Sequence, residues 1–474
     1  MQCDRKASND LSMASERAGN AAIDAERGRD GYVSGIAYPR RYYRELNPAS
    51  IAFAALQAGY QAPRLDRPFR YLDLGCGHGY STTLFAALFP QGDFQGVDLD
   101  PVHIASAERL RQAAVIDNAR FSATSFAAMA TASDAPAQDC DFIVLHGVMS
   151  WVSAAVRRDI AALIGRRLKP GGIVYASYNC QPGWAVKMPL RELLLAAFDR
   201  AAGATVAARI AAAIALLRDL ADSGAHYLDS NPAVLSLLEM IEGQEAGYLA
   251  HEFLNRHWTI FYHRDMAAEM QALGLAYLGS ADAADNVPLL AVPQKPAALM
   301  AAQPDPVLRE TLRDMALNRQ FRRDLYGFGL KPLPLSDYVA AWRETRFALA
   351  VPRAQCALTI KRSFGDVTLD AAIFDPLLDR LAQGTAGFED LRAVAAIRGW
   401  GLGDQLQAIQ LLVATDFARP IVGGAAVAAD HPAVQRFNDA VFSLAQAEGI
   451  DTVALAVPDW SGAQLVPIMK IEQP

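Results

Sequence analysis

The stretch YLDLGCGHGYST, Tyr71–Thr82, decides how this chain reads. An apolar strand ends in Asp73, a turn carries Gly75, Gly77 and Gly79, and a helix follows. Glycine has no Cβ to obstruct close approach of backbone to a ligand, and it takes positive φ without strain. The spacing is GxGxG, not the GxGxxG that brings a pyrophosphate onto a helix N-terminus. Such a loop suits a nucleoside or amino-acid moiety better than a diphosphate. Working outward, FQGVDLDP (Phe94–Pro101) supplies a second strand ending in Asp98, 19 residues after Gly79. A carboxylate at the tip of the second strand can accept two hydrogen bonds from a ribose diol. No basic residue stands there to meet a phosphorylated ribose. The competing role for Asp98, capping the helix that starts at Pro101, is better filled by Asp100. Loop and acid together point to a nucleoside cofactor.

The surrounding pattern alternates strand and helix. Strands are predicted at Arg70–Leu74, Phe94–Val97, Ala119–Ala123, Asp141–Leu145 and Ile173–Ser177. Helices are predicted at Tyr80–Phe89, Pro101–Gln112 and Ser153–Leu168, the last stopped by LKPGG (Leu168–Gly172). Strands separated by helices mean βαβ units and a parallel sheet. From Trp184 to Asn255 the pattern is helical only, near Lys187–Ala202, Thr205–Ser223 and Ala233–Glu242. The alternation resumes with a helix at His263–Leu273 and a strand at Leu275–Ser280. A Pro- and Ala-rich linker (Val292–Pro306), a helix at Val307–Leu317 and a last strand within Gln320–Gly329 follow. Beyond Lys331, helices at Asp370–Ala382, Gly387–Arg398 and Asp404–Asp416 precede a strand near Ala418–Val422. A helix at His431–Ala447 and a hairpin (Val453–Val457, Gln464–Met469) close the chain.

The expected organisation is therefore a disordered, charge-rich tail over 1–30 and a cofactor-binding sheet domain over 31–183. A helical insertion fills 184–255, the sheet finishes over 256–330, and a C-terminal domain takes 331–474. The fold class is α/β, with an α+β C-terminal domain whose short helices and terminal hairpin suggest a winged-helix-like module.

Composition bounds the rest. The 474 residues are 52% apolar and 20% charged with a net charge of −7, which excludes a disordered chain, a fibre or a coiled coil. The longest apolar runs, Ile210–Leu217 and Ile421–Ala429, fall well short of the roughly 18 residues that span a bilayer. With no secretory signal read at the start, a cytoplasmic location without membrane association is expected. The mild acidity speaks against a nucleic-acid partner. Five scattered cysteines (Cys3, Cys76, Cys140, Cys180, Cys356) form no CxxC pair, and the eight histidines show no HExxH. Neither a disulfide framework nor a metal site is expected.

Taken together, the glycine loop and Asp98 resemble the class I S-adenosylmethionine-dependent methyltransferases. The family's first motif corresponds to Asp73–Gly79 here and its ribose-binding acid to Asp98. The resemblance implies a seven-stranded, Rossmann-like methyltransferase sheet. It also implies S-adenosylmethionine as cofactor, held by Tyr38, Asp73, Gly75, Cys76, Gly77, Asp98, Leu99, Ser125, Phe126 and His146. Ser125 departs from the acidic or amide residue usual at the adenine contact. A narrower set of motifs, HGVMSWV (His146–Val152), SYNCQPGW (Ser177–Trp184), PLREL (Pro189–Leu193), YLAHEFL (Tyr248–Leu254) and QFRRDL (Gln320–Leu325), resembles a more specific group. These are bacterial methyltransferases with a methyltransferase regulatory domain. They include protein lysine methyltransferases acting on rickettsial outer membrane protein B. Ala185 departs from the larger polar or basic residue expected after Trp184.

On the acceptor side, His146, Tyr178, Asn179 and Trp184 are the candidate catalytic residues. His146 follows the fourth strand on the ligand edge of the sheet, where it lines the site or is a plain structural histidine. Tyr178 and Asn179 follow the fifth strand. Trp151 and Trp184 either wall the acceptor, where an aromatic face can hold an ammonium, or pack the insertion. Tyr32 and Tyr38 read as a lid or as simple packing, and Arg191 and Glu192 as a solvated helix face. Cys76 is selected for small size, not reactivity. The leading acceptor is the side-chain amine of a protein lysine, with a small molecule as the alternative. A non-catalytic cofactor-binding regulator is a third reading. The insertion and C-terminal domain would then dock the protein acceptor or a second copy in a homodimer.

Overall fold

Phe69–Leu74 (β1) is buried at every position except Arg70, as expected of a strand with neighbours on both edges and cover on both faces. It belongs to a computed structural model that describes residues 40–132, 137–203, 205–422 and 430–468. Ahead of β1 runs α1 (Pro48–Gln57). After it come α2 (Tyr80–Leu88), β2 (Gly92–Asp98), α3 (Pro101–Ala113), β3 (Ala119–Ala123), α4 (Phe126–Thr131), β4 (Cys140–Leu145), α5 (Ala154–Arg167) and β5 (Leu168–Asn179). LKPGG ends α5 as read, yet Leu168 already pairs with Cys140, so β5 starts earlier than expected.

The strand pattern then pauses. Residues 150–155 and 179–260 form a compact unit of their own. It holds α6 (Met188–Arg200), α7 (Val206–Asp222), α8 (His226–Asp229), α9 (Pro232–Glu242) and α10 (Ala246–Phe253). Leu194, Ile210, Leu217, Leu238 and Ile241 fill its core.

The sheet resumes through α11 (His263–Gln271), β6 (Leu275–Ser280), α12 (Pro288–Ala291), α13 (Gln294–Ala301), α14 (Pro306–Leu317) and β7 (Phe321–Phe328). The supposed linker Val292–Pro306 thus carries a helix, since Pro296 lies in the first turn, where its missing N–H costs nothing. The seven strands run in the order β3-β2-β1-β4-β5-β7-β6. β1 is parallel to both β2 and β4, and β6 and β7 are antiparallel. Strand order reverses between β1 and β4, so the binding crevice is expected outside the carboxyl ends of those two strands.

Downstream lie α15 (Leu335–Arg343), β8 (Arg346–Leu349), β9 (Thr359–Arg362), β10 (Gly365–Thr368), α16 (Ala371–Ala382), β11 (Ala386–Gly387), α17 (Phe388–Arg392), α18 (Leu402–Ala414) and β12 (Ala418–Ile421). α17 is much shorter than the helix expected over Gly387–Arg398. These elements surround a core of Trp342, Phe347, Phe374, Leu377 and Ile409 and a small sheet, β11-β8-β12. The last elements, α19 (Pro432–Glu448), β13 (Thr452–Val457) and β14 (Gly462–Pro467), go elsewhere. Phe437, Val441 and Val453 join the core of the large sheet, and the Tyr80 hydroxyl at the start of α2 donates to Ala454 O at 2.6 Å. The terminal hairpin is therefore not the wing of the preceding helices.

Among the described residues, no helix is long and apolar enough to cross a membrane. Nor, among the described residues, could any group of three or more His, Cys, Asp or Glu hold a metal ion.

Candidate active site

The glycine loop joins β1 to α2 with Gly75, Gly77 and Gly79 at φ +83°, +54° and +65°. Its start is fastened to β2, where Val97 O accepts from Gly75 N at 2.7 Å and from Cys76 N at 3.0 Å. A Cβ on Gly75 would stand 2.6 Å from Val148 Cγ2, so the loop after β4 lies directly on the loop after β1. A Cβ on Gly79 would stand 2.6 Å from Ala107 Cβ and 2.7 Å from Phe121. Gly77 differs. A Cβ there meets nothing within 4 Å, so its left-handed backbone faces open space at the sheet edge. Burial pushes the Cys76 thiol far above its ordinary range, which agrees with selection for size.

Two carboxylates flank the loop and behave differently. Asp73 is buried and accepts from Thr82 Oγ1 at 2.6 Å. Burial, reinforced by Asp98 and opposed by Thr82, raises its pKa to about 7. Asp98 accepts from Gly77 N and Asp100 N, each at 2.9 Å, with His103 Nδ1 at 3.3 Å. Burial works to raise its pKa, but His103 and the two amides outweigh it, and the net shift is downward. For His103 the same contact overcomes burial and raises the imidazole. Asp100 caps α3 by accepting from Val102 N at 2.8 Å, which leaves Asp98 out of the capping role. Next to this ionised tip, Leu99 is 48% exposed. An ionised acceptor, an uncovered glycine and an exposed apolar side chain fit a nucleoside with a free ribose diol. Ser125 caps α4 through Ala128 N at 3.2 Å, and Phe126 opens that helix.

His146 follows β4. Its Nδ1 is 2.9 Å from the Tyr175 hydroxyl, and the Tyr43 ring packs over it at 4.0 Å. Burial lowers its pKa to about 4, with Glu45 pulling the other way, so the ring is neutral at physiological pH. The neighbouring Gly147 N donates to Ser177 Oγ at 2.8 Å.

Tyr178 is fully buried. Its hydroxyl donates to Asp324 Oδ2 at 2.5 Å, inside a buried network. There Arg322 bridges Asp324, Asp314 and Glu310, at 3.0, 2.6 and 2.8 Å, and His263 Nδ1 approaches Asp324 at 3.2 Å.

Asn179 and Trp184 lie in the helical unit. Asn179 N donates to Ser150 Oγ at 2.8 Å. Trp184 joins an aromatic cluster with Trp258 and Phe253, centroids 4.7 and 6.3 Å away, and Trp151 stacks on the same Trp258 at 4.9 Å. Arg191 is buried, not solvated. Its Nε donates to Phe253 O at 2.9 Å, and its guanidinium lies 4.9 Å over Trp258. Glu192 is exposed as expected. Tyr32 and Tyr38 lie outside the described residues.

The structure thus gathers Asp73, Gly75, Cys76, Gly77, Asp98, Leu99 and His146 around the carboxyl ends of β1, β2 and β4. Sequence reasoning missed Tyr43, Thr82 and Val148. Thr82 and Val148 stand inside the quoted stretches Tyr71–Thr82 and His146–Val152 without being singled out there, and nothing local marked Tyr43 as the cover of His146.

Comparison with known proteins agrees with this geometry. Residues 72–172 match the family model of the methyltransferase domain, and residues 245–327 match that of the predicted methyltransferase regulatory domain. Uncharacterized protein sll1526 of Synechocystis sp. is 33% identical over 412 residues, which is 87% of this chain and 81% of that protein. Uncharacterized protein RP789 of Rickettsia prowazekii is 30% identical over 291 residues, covering 61% of this chain and 51% of that protein. Among solved structures, PKMT2 from Rickettsia typhi in complex with AdoHcy superposes with a TM-score of 0.67 at 21% identity. That match covers 91% of this chain and 86% of the other. It establishes a shared fold.

Proposed function

Because this chain belongs to the S-adenosylmethionine-dependent methyltransferases that carry a methyltransferase regulatory domain, we propose that it methylates the side-chain amine of a protein lysine. The observation that carries this reading is the extent of the likeness. The fold shared with PKMT2 runs over 91% of the chain, well past the crevice that a small acceptor would need. The motifs His146–Val152, Ser177–Trp184 and Tyr248–Leu254, which resemble those of protein lysine methyltransferases, lie along the same length. The helical unit is the proposed dock for the protein acceptor or for a second copy of the chain. A cytoplasmic location belongs to the same proposal.

Bound S-adenosylmethionine supplies an electrophilic methyl group on a sulfonium. In this reading the chain's own residues bind and position. Ionised Asp98 would accept from the ribose hydroxyls, and its bond to Gly77 N holds the uncovered turn in register. Gly77 would let the backbone come close to the cofactor where a side chain would intrude, and Gly75 leaves room for Val148. Neutral His146 sets no positive charge against an incoming ammonium. With a pKa near 4 it is also too weak a base to take the lysine proton, which leaves to solvent. Its role is then to orient, held by Tyr175 and covered by Tyr43. Tyr178 is committed to Asp324. The acceleration comes from alignment of donor and acceptor with water excluded.

The test is transfer of radiolabelled methyl from S-adenosylmethionine to lysate proteins and, in parallel, to extracted metabolites. Hydrolysis of the labelled protein fraction should release methylated lysine. Label confined to metabolites would replace the lysine reading with a small-molecule one. Cofactor binding with no transfer to either fraction would favour a regulatory role.

A further inference from the structure

Away from the crevice, Tyr42, Arg44, Asn47, Ser50, Arg419 and Trp460 surround a small, open-mouthed cavity with about 20 Å³ open to the centre of a water-sized molecule. Its groups are nearly all donors. Arg44 and Arg419 both turn to a single carboxylate, Asp416, which is itself 54% exposed. Arg44 also feels Glu45 and Asp282, which favour its cation, so the weakly compensated guanidinium is that of Arg419. Burial disfavours the Arg419 cation, and Arg44 adds to the effect. The indole Nε1 of Trp460 is buried and has no hydrogen-bond partner among the described residues, an uncommon condition for a buried donor. Burial lifts the Tyr42 phenol to about 12, so it stays protonated. Asn47 is engaged at both ends, Oδ1 accepting from Ala49 N at 2.8 Å and Nδ2 donating to Ser461 O at 2.6 Å. The cavity also opens at the N-terminus of α1, where the backbone dipole favours negative charge.

We propose that this cavity binds a small oxyanion, either a phosphate or a carboxylate group. An ordered water would satisfy the indole N–H but would leave the Arg419 cation weakly compensated, whereas an oxyanion answers both. The cavity is far smaller than the roughly 300–1,000 Å³ of sites that enclose whole metabolites, so the ligand is a single anionic group.

Occupancy would reach the other side of the same segment. Tyr42 and Arg44 line the cavity, while the alternating residues point elsewhere. Tyr43 covers His146 at 4.0 Å and Glu45 meets Arg323 at 3.1 Å. An anion on Arg44 thus pins the strip of chain that covers His146.

The experiment follows thermal unfolding of the full chain against sodium phosphate and sodium acetate, with sodium chloride at matched ionic strength as reference. The expected result is a saturable rise in Tm with phosphate, acetate or both, beyond that given by chloride. The responding salt identifies the anion chemistry. Arg419→Gln should weaken the apparent affinity about tenfold or more, the loss of a charge-assisted hydrogen bond. Trp460→Phe keeps the ring, loses the donor and should weaken binding by a smaller factor. Asp416→Asn removes the competing carboxylate and should tighten binding, an effect that mere structural damage does not produce. Hydrogen exchange of residues 42–50 should slow when the anion binds. A wild-type Tm that follows chloride alone overturns the proposal, and so does an Asp416→Asn variant that binds no more tightly than wild type.

Discussion

Gly77→Ala and Gly79→Ala should separate binding from folding, although the two glycines are two residues apart in one loop. At Gly77 the added methyl meets nothing within 4 Å of protein. The cost to the fold is then only that of a left-handed non-glycine residue at φ +54°, about 1–2 kcal/mol. At Gly79 the same backbone penalty applies at φ +65°, and the methyl also lands 2.6 Å from Ala107 Cβ and 2.7 Å from Phe121. Overpacking of that kind adds about 1–3 kcal/mol, so Gly79→Ala should cost roughly 2–5 kcal/mol. If the open space at Gly77 is where the cofactor lies, the order reverses for binding. A methyl group in that space should raise the Kd of S-adenosylhomocysteine at least about 100-fold, equivalent to roughly 2.7 kcal/mol. Urea unfolding gives the first quantity and isothermal titration the second. A Gly77→Ala protein that binds within threefold of wild type would refute the placement of the cofactor over this loop. Equal destabilisation by the two substitutions would refute the packing argument.

Three further outcomes are expected. Asp98→Asn removes a charge and turns an amide N–H toward Gly77 N or Asp100 N. Cofactor affinity should fall roughly 100-fold by titration, with a stability loss of only about 1–2 kcal/mol, and wild-type affinity would remove the ribose assignment. His146 has a folded pKa of about 4, below its unfolded value near 6.5. The unfolded chain therefore binds more protons between pH 6.5 and 4, and stability falls as pH drops through that window. The loss should be roughly 2–3 kcal/mol, and it should be missing from the pH–stability curve of His146→Phe; a variant curve that falls as steeply as wild type would refute the assignment. Asp324→Asn leaves Arg322 buried with less compensation and should cost about 3–5 kcal/mol in urea unfolding. A cost under 1 kcal/mol would mean that Glu310 and Asp314 suffice for Arg322.

The strands of the sheet were legible because apolar runs there end at Asp or Gly, and Asp73 and Asp98 mark where β1 and β2 reach the edge. Side-chain direction was the harder part. Ser177 and Tyr178 are adjacent in β5 and must point to opposite faces. Alternation alone does not say which face holds the crevice, and Tyr178 proved to point at Asp324. Arg191 looked solvated because its partners, Phe253 O and the Trp258 ring, lie more than 60 residues away along the chain. The early start of β5 was hidden by LKPGG, whose pairing with Cys140 is a tertiary fact. Arg346–Leu349 and Thr359–Arg362 are strands of four residues, too short for a period-two pattern to stand out. The cofactor half of the site was local and readable. The acceptor half depends on contacts between distant segments.

The position of β7 between β5 and β6 has a consequence for synthesis on the ribosome. β5 ends at Asn179, yet the strand that seals its outer edge starts only at Phe321. At about 5–20 residues per second, that gap lasts roughly 7–28 s. Throughout it the edge of β5, rich in Ile, Val and Tyr, carries unpaired backbone groups, the kind of template on which chains aggregate. β6 is finished earlier but has no place in the sheet until β7 arrives. The nascent chain must therefore keep one strand edge guarded while the whole helical unit is being made. Fragments ending between residues 180 and 320 should be much less soluble than the full chain.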